Sequence, residues 1–197
     1  MLNFTDLTGL TSVAVAISAA CLLLPGIAGF TRIQRTTLLA VVFVLALIPL
    51  GGIPLAAYVR GVSGDLSITM LVLLCCALLM PSLGCNTEDI KARYVLLTLI
   101  ALVALMLYPL ALGFTSFDPY RLGYGDTWFI AALLLIALSA WAFKYYLIAS
   151  CIAMATIAWA GGWYESDNLW DYLLDPWLAI YALFSITLRV ARIFSNK

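Results

Sequence analysis

The sequence predicts an all-α protein, a polytopic bundle of seven transmembrane helices with its amino terminus outside and its carboxyl terminus in the cytoplasm. Three observations predict it. Hydrophobic residues make up 65% of the 197 residues and charged residues only 10%, with a mean hydropathy of +1.09, which is more apolar surface than a globule of this length can bury. Charge-poor stretches close to the roughly 20 residues needed to cross a bilayer core recur along the chain. The cations between them keep to sides: Arg32, Arg35, Lys91, Arg93, Lys144, Arg189, Arg192 and Lys197 fall on one, Arg60 and Arg121 on the other. Because Lys and Arg favour the cytoplasmic side, the first set marks the inside.

The first span covers residues 7–30. No basic leader or cleavage site is evident, so it is expected to stay as a helix. The second, 36–58, carries Pro49-Leu-Gly51-Gly52-Ile-Pro54; prolines remove backbone donors and glycines permit unwinding, so Pro49, Gly51, Gly52 and Pro54 are hinge candidates and the helix is expected to be kinked or broken. The third and fourth spans are 65–83 and 94–114, the latter with Pro109. The fifth and sixth, 127–143 and 145–163, are separated only by Lys144. One straight helix through both, at about 1.5 Å per residue, would be nearly twice as long as the membrane core is thick, so two helices and a tight turn are expected. The seventh is 176–194, opening on Pro176. Together they form one membrane domain over 1–197, with no extramembrane domain.

Acidic residues follow the same partition. Asp6, Asp65, Asp118, Asp126, Glu165, Asp167, Asp171 and Asp175 lie outside, and only Glu88 and Asp89 inside. Four of them, Asp6, Asp65, Asp126 and Asp175, stand at the starts of outward helix ends, where a carboxylate caps free amides and faces the positive end of the helix dipole.

Within this frame one pattern stands out, Arg60-Gly-Val-Ser-Gly64-Asp65 and Arg121-Leu-Gly-Tyr-Gly125-Asp126. Each arginine is on the side opposite to the other cations. Two readings fit: each folds back on its own aspartate across a glycine turn, or Arg60 and Arg121 converge to hold an anionic headgroup, phosphate or carboxylate with their planar donor forks. The matching Pro54-Leu-Ala and Pro109-Leu-Ala segments upstream suggest an internal duplication. A second outer segment, from Trp163 to Trp177, is rich in aromatics and acids. Its Leu169, Trp170, Tyr172 and Leu173 fit a short interfacial helix, which makes Asp167, Trp170 and Asp171 candidates for partner binding beside Arg60, Asp65, Arg121 and Asp126.

The chemistry classes thin out quickly. The chain has no histidine, removing the commonest general base and metal ligand, so no catalytic residue and no metal or other cofactor is expected. Cys21, Cys75, Cys76, Cys85 and Cys151 lie in spans or at the inner edge and read as packing residues. Ionisable residues are missing from span centres, which disfavours ion pumping. The topology resembles that of rhodopsins, but the last span has no lysine before its basic end and so no retinal Schiff base. Zero net charge without a basic patch excludes nucleic acid; the inner cations are expected to meet anionic lipid headgroups. Asn3-Phe-Thr5 is a glycosylation pattern placed too near the membrane for use. The expectation is therefore a non-catalytic accessory or scaffold subunit of a bacterial inner-membrane complex, offering an acidic, aromatic periplasmic face to a larger membrane or periplasmic protein partner. The alternative is a transporter or binder of a lipid-linked or small amphipathic molecule at an outer-leaflet site.

Overall fold

The computed structural model describes residues 4–49, 51–83, 87–114 and 116–195; of residues 28, 79–83 and 87–89 only the backbone is described. Asn3 and Cys85 fall outside these residues, as do the side chains of Glu88 and Asp89. The described chain is all-α, with no strand among the described residues. Its helices are α1 (Phe4–Cys21), α2 (Arg32–Leu47), α3 (Leu55–Ser63), α4 (Ile68–Leu83), α5 (Thr87–Ala111), α6 (Thr127–Ala142), α7 (Tyr146–Ala160), α8 (Leu169–Leu173) and α9 (Pro176–Ser195). Short 3-10 turns lie at Ile27–Gly29 and Pro119–Gly123. Among the described residues three helices are long and apolar enough to cross a membrane, namely α1, α9 and Ile90–Ala111 of α5, fewer than the seven spans expected. Apolar but shorter helices cover Ile68–Leu78, Thr127–Ala142 and Tyr146–Ala160.

The chain divides into two compact units. The first contains Met1–Leu66, Met70–Gly84 and Gly162–Glu165. Here α1 ends at Cys21 rather than near Phe30. Pro25 disfavours helix in the residue before it, and Gly26, at φ 97°, turns the chain into the 3-10 turn. Thr31 then starts α2 with a capping box, in which its hydroxyl accepts from the Gln34 N–H at 3.3 Å and the Gln34 side-chain oxygen accepts from the Thr31 N–H at 2.9 Å. The second expected span is broken, and at the hinge candidates. Gly51 and Gly52 take φ of 80° and 107°, and a short antiparallel bridge joins Pro49 to Pro54. At about 1.5 Å per residue, α2 is roughly 24 Å long and α3 roughly 14 Å, so neither alone matches a core of about 30 Å. Both pack on α1 around Leu10, Val13, Ala14, Ala46 and Ala56. The three alanines let the backbones approach closely. Ser12 and Ser18 return their hydroxyls to the carbonyls of Thr8 and Ala14, each at 2.8 Å, which removes unsatisfied polar groups from α1.

The second unit contains Ser67–Thr69, Cys85–Gly161 and Ser166–Lys197. Helix α5 packs on α9 and α7, and α6 packs along α7. Buried Leu97, Ala101 and Ala104 of α5, Cys151 and Ala155 of α7, and Leu178 and Ala182 of α9 form its core. Helices α6 and α7 are separate, with Lys144 between them at φ 64°, the one non-glycine residue at positive φ among the described residues. Asp175 is 3% exposed at the start of α9. One of its oxygens accepts from the Leu178 N–H at 2.8 Å, and the other from the N–H and hydroxyl of Ser67 at 2.9 and 2.6 Å.

Candidate functional site

In the first unit the chain's charges collect around Arg60. This residue lies in the last turn of α3, which Gly64 ends at φ 72° while donating its N–H to the Arg60 carbonyl at 2.8 Å. The reversal brings Asp65 back onto its own arginine. Arg60 Nε donates to Asp65 Oδ1 at 2.6 Å and Nη2 to Oδ2 at 3.1 Å, a two-pronged pair. Asp6, from the first turn of α1, accepts from Nη1 at 3.1 Å. Glu165, from the segment Gly162–Glu165, stands 3.7 Å from Nη2. That segment is held to α1 by the Tyr164 hydroxyl, 3.0 Å from Ser12 Oγ, and by the Thr8 hydroxyl donating to the Trp163 carbonyl.

The cluster needs a bare backbone beneath it. A Cβ on Gly9 of α1 would lie 2.5 Å from both Arg60 Nε and Asp65 Oδ1, closer than any real contact. The guanidinium side chain is only 17% exposed. Its hydrogen bond to Asp65, against the opposing effect of burial, together with the charges of Asp65 and Glu165 and the bond to Asp6, raises its pKa above the ordinary arginine value. Three carboxylates face one guanidinium, a formal surplus of two negative charges. Beside them is an open recess of about 500 Å³, whose apolar wall is Leu10 and Ala57. The arrangement fastens α1, α3 and the Gly162–Glu165 segment together and leaves a negative field at the surface.

The second R-x-x-x-G-D segment, in the other unit, behaves differently. Arg121 sits in the Pro119–Gly123 turn, exposed, with no ion pair among the described residues. Its aspartate is engaged elsewhere: Asp126 Oδ1 accepts from the Phe129 N–H at 2.8 Å and caps α6. The self-pairing reading thus describes Arg60 and not Arg121. As for the caps, Asp126 and Asp175 perform that role, whereas Asp65 serves the arginine and Asp6 lies inside the first turn of α1.

The Trp163 to Trp177 segment contains the expected short helix, α8, but the aromatic residues of that helix, Trp170 and Tyr172, point inward, while Trp163 and Trp177 are exposed. Trp170 is 9% exposed. Its indole N–H donates to the Pro119 carbonyl at 3.0 Å, and its ring lies 4.6 Å from that of Phe129. Asp171 accepts from the Tyr120 hydroxyl, 2.9 Å from both oxygens, and from the Ser166 hydroxyl. Asn168, fully buried, donates to the Tyr120 carbonyl at 3.0 Å and accepts from the Trp170 N–H at 2.9 Å. Gly123 makes room for it, since a Cβ there would stand 1.7 Å from the Asn168 side-chain oxygen. Burial first, then the hydrogen bond and charge of Asp171, push the Tyr120 phenol well above the usual tyrosine range, so it stays a donor. Asp167 remains exposed; its carbonyl accepts from the Trp159 indole at 2.8 Å.

Sequence reasoning missed Gly9, Tyr120, Ser166 and Asn168. Asp118-Pro119 was the available signal for Tyr120, as an Asp-Pro turn, and the Asp118 side chain does accept from the Tyr120 N–H at 2.9 Å. Among the described residues no group of His, Cys, Asp or Glu is arranged to hold a metal ion. No known protein family, curated protein or solved structure matches the chain.

Proposed function

We propose that this chain is a seven-span bacterial inner-membrane protein, amino terminus outside, that serves as a non-catalytic accessory or scaffold subunit of an envelope-associated complex. The observation that carries this reading is the internal hydrogen bonding of its connections. Arg60 is held by carboxylates of its own chain, the Tyr120 and Asp171 side chains bond each other, and the Asn168 and Trp170 side chains bond the backbone of Tyr120, Trp170 and Pro119, so the connecting segments are pre-shaped. Preorganised surfaces lose little entropy on docking. What they leave outward is acidic and aromatic: Glu165 at 69% and Trp163 in the first unit, Asp167, Trp177 and Trp128 at 84% in the second. The sidedness of Lys and Arg assigns all of these to the periplasmic side. The leucines that face outward from α5 and α6, such as Leu102, Leu105, Leu134, Leu135 and Leu138, suit a hydrocarbon surrounding.

Gentle extraction from the native membrane, followed by mass spectrometry, tests the proposal. A protein retained in stoichiometric amount is expected, and its loss on Glu165→Lys together with Asp167→Lys would locate the contact. Isolation without any protein partner, with transport by the chain alone in proteoliposomes, overturns it. The recess of about 500 Å³ beside Arg60 favours a second reading, a transporter or binder of a lipid-linked or small amphipathic molecule at an outer-leaflet site. With two negative charges in surplus there, such a molecule would bring positive charge, not the phosphate that an unpaired arginine would select.

A further inference from the structure

Two cavities of the second unit meet at one residue. At the start of α5, Lys91, Tyr94, Val95, Thr98 and Leu99 form a recess of about 270 Å³ with Arg189 of α9. The Arg189 guanidinium lies over the Tyr94 ring, 3.9 Å from its centre. Stacking fixes its plane and leaves its donor edges available. Among the described residues no carboxylate pairs with Lys91 or Arg189. Arg93, by contrast, already donates to the Tyr181 hydroxyl at 2.5 Å.

The second cavity is an apolar crevice of about 230 Å³ between α5, α6 and α7. Leu99, Ile100 and Val103 line it from α5, Leu133 and Ile136 from α6, and Trp170 from α8. It exists because α6 packs along α7 and not along α5. Leu99 belongs to both walls. From Lys91 to Val103 the helix rises about 18 Å, close to the depth of one leaflet, about 15 Å of a core about 30 Å thick.

We propose that these cavities are one binding site for an anionic glycerophospholipid, with the phosphate between Lys91 and Arg189 and one acyl chain passing Leu99 into the crevice between α5 and α6. Each half selects for the same occupant. Two cations with no carboxylate partner among the described residues, one of them a planar fork lying over an aromatic ring, match a phosphate. An apolar crevice left empty forfeits the dispersion contacts of its lining, and a hydrocarbon chain restores them. A free phosphate satisfies the first half only, and an uncharged lipid the second only. The site rests on the membrane-spanning part of the reading above and on nothing else in it.

The test uses the full chain, purified, delipidated and incubated with phosphatidylglycerol or phosphatidylcholine of identical acyl chains, with retained lipid counted by native mass spectrometry. One phosphatidylglycerol is expected per chain, with a preference of about tenfold over phosphatidylcholine. Lys91→Gln with Arg189→Gln should abolish the preference, and Ala132→Phe, at an α6 residue that also lines the crevice, should fill it with both cations intact and lower retention of phosphatidylglycerol. Equal retention of the two lipids by the wild-type chain overturns the site without any variant. Displacement of phosphatidylglycerol by millimolar inorganic phosphate also overturns it, because the acyl chain would then contribute nothing. Release of the chain from native membranes by alkaline washing would instead defeat the membrane-spanning reading itself.

Discussion

Arg60 Nε lies 2.6 Å from Asp65 Oδ1, and a methyl group on Gly9 would stand 2.5 Å from each of those two atoms. The Arg60–Asp65 ion pair is thus seated against bare backbone of α1. Gly9→Ala should lower the thermal unfolding midpoint in detergent, with a cost of about 1–3 kcal/mol from overpacking. Gly61→Ala, in the neighbouring helix α3, is the control. A Cβ there meets nothing within 4 Å, so that variant should be neutral or slightly stabilising. Equal effects of the two substitutions would contradict the seating.

Arg60 and Arg121 should separate cleanly under mutation. Arg60→Ala leaves Asp65 and Asp6 facing one another across a partly exposed cluster, and a loss of about 1–2 kcal/mol is expected, moderated by solvent. Arg121→Ala touches an exposed side chain without an ion pair and should stay within about 0.5 kcal/mol of the parent. Denaturant unfolding of both variants in the same detergent decides it. A large effect at Arg121 would point to a contact beyond the side chains described.

Asp175 and Asp126 both cap helices, but Asp175 also accepts on its second oxygen from the Ser67 N–H and hydroxyl, all in a buried setting. Asp175→Asn places an amide group against a hydrogen-bond donor, either the Leu178 N–H or the Ser67 pair, and should cost about 1–3 kcal/mol. Asn caps a helix about as well as Asp, so Asp126→Asn should be nearly silent. Circular dichroism on heating compares them. If Asp126→Asn proves the more damaging, the hydrogen bonds of Asp175 do not have the weight assigned here.

Tyr120 gives a pH signature. Its folded-state pKa is raised above the ordinary 10.0, so its contribution to stability is complete below that pH and is lost as the pH climbs from there toward the folded value. The unfolding midpoint should therefore decline in alkali above about pH 10, and Tyr120→Phe should remove that part of the decline while also weakening the hold on Asp171. Ultraviolet titration of phenolate checks the premise, since one tyrosine fewer should titrate late in the variant.

The helices were legible because they depend on local rules. Pro49, Gly51, Gly52 and Pro54 announced the break between α2 and α3, and the charge at Lys144 announced the turn between α6 and α7. Helix length was harder. Pro25 and Gly26 stop α1 at Cys21, within a stretch whose composition alone reads as continuous. The two R-x-x-x-G-D segments show why matching sequences need not form matching sites. Helix α6 begins at Thr127, immediately after Asp126, and takes that carboxylate as its cap. Helix α4 begins at Ile68, so Asp65 has slack to fold back on Arg60. The pairing of Tyr120 with Asp171 spans 51 residues, and no local rule reaches that far. Nor does any announce that Gly9 lies beneath Arg60.

Lys144 holds a backbone conformation that asparagine or glycine would adopt with less strain, at a cost of roughly 1 kcal/mol. Under the proposed topology, a lysine there is worth more to biogenesis than to the finished fold. In that topology the α6–α7 pair would enter the bilayer as a hairpin whose connection is only Phe143 to Tyr145, and its direction of insertion would depend on a single topogenic charge. Lys144→Glu would then act during synthesis, yielding a fraction of chains with the hairpin misthreaded, while the same substitution would hardly disturb a molecule already inserted.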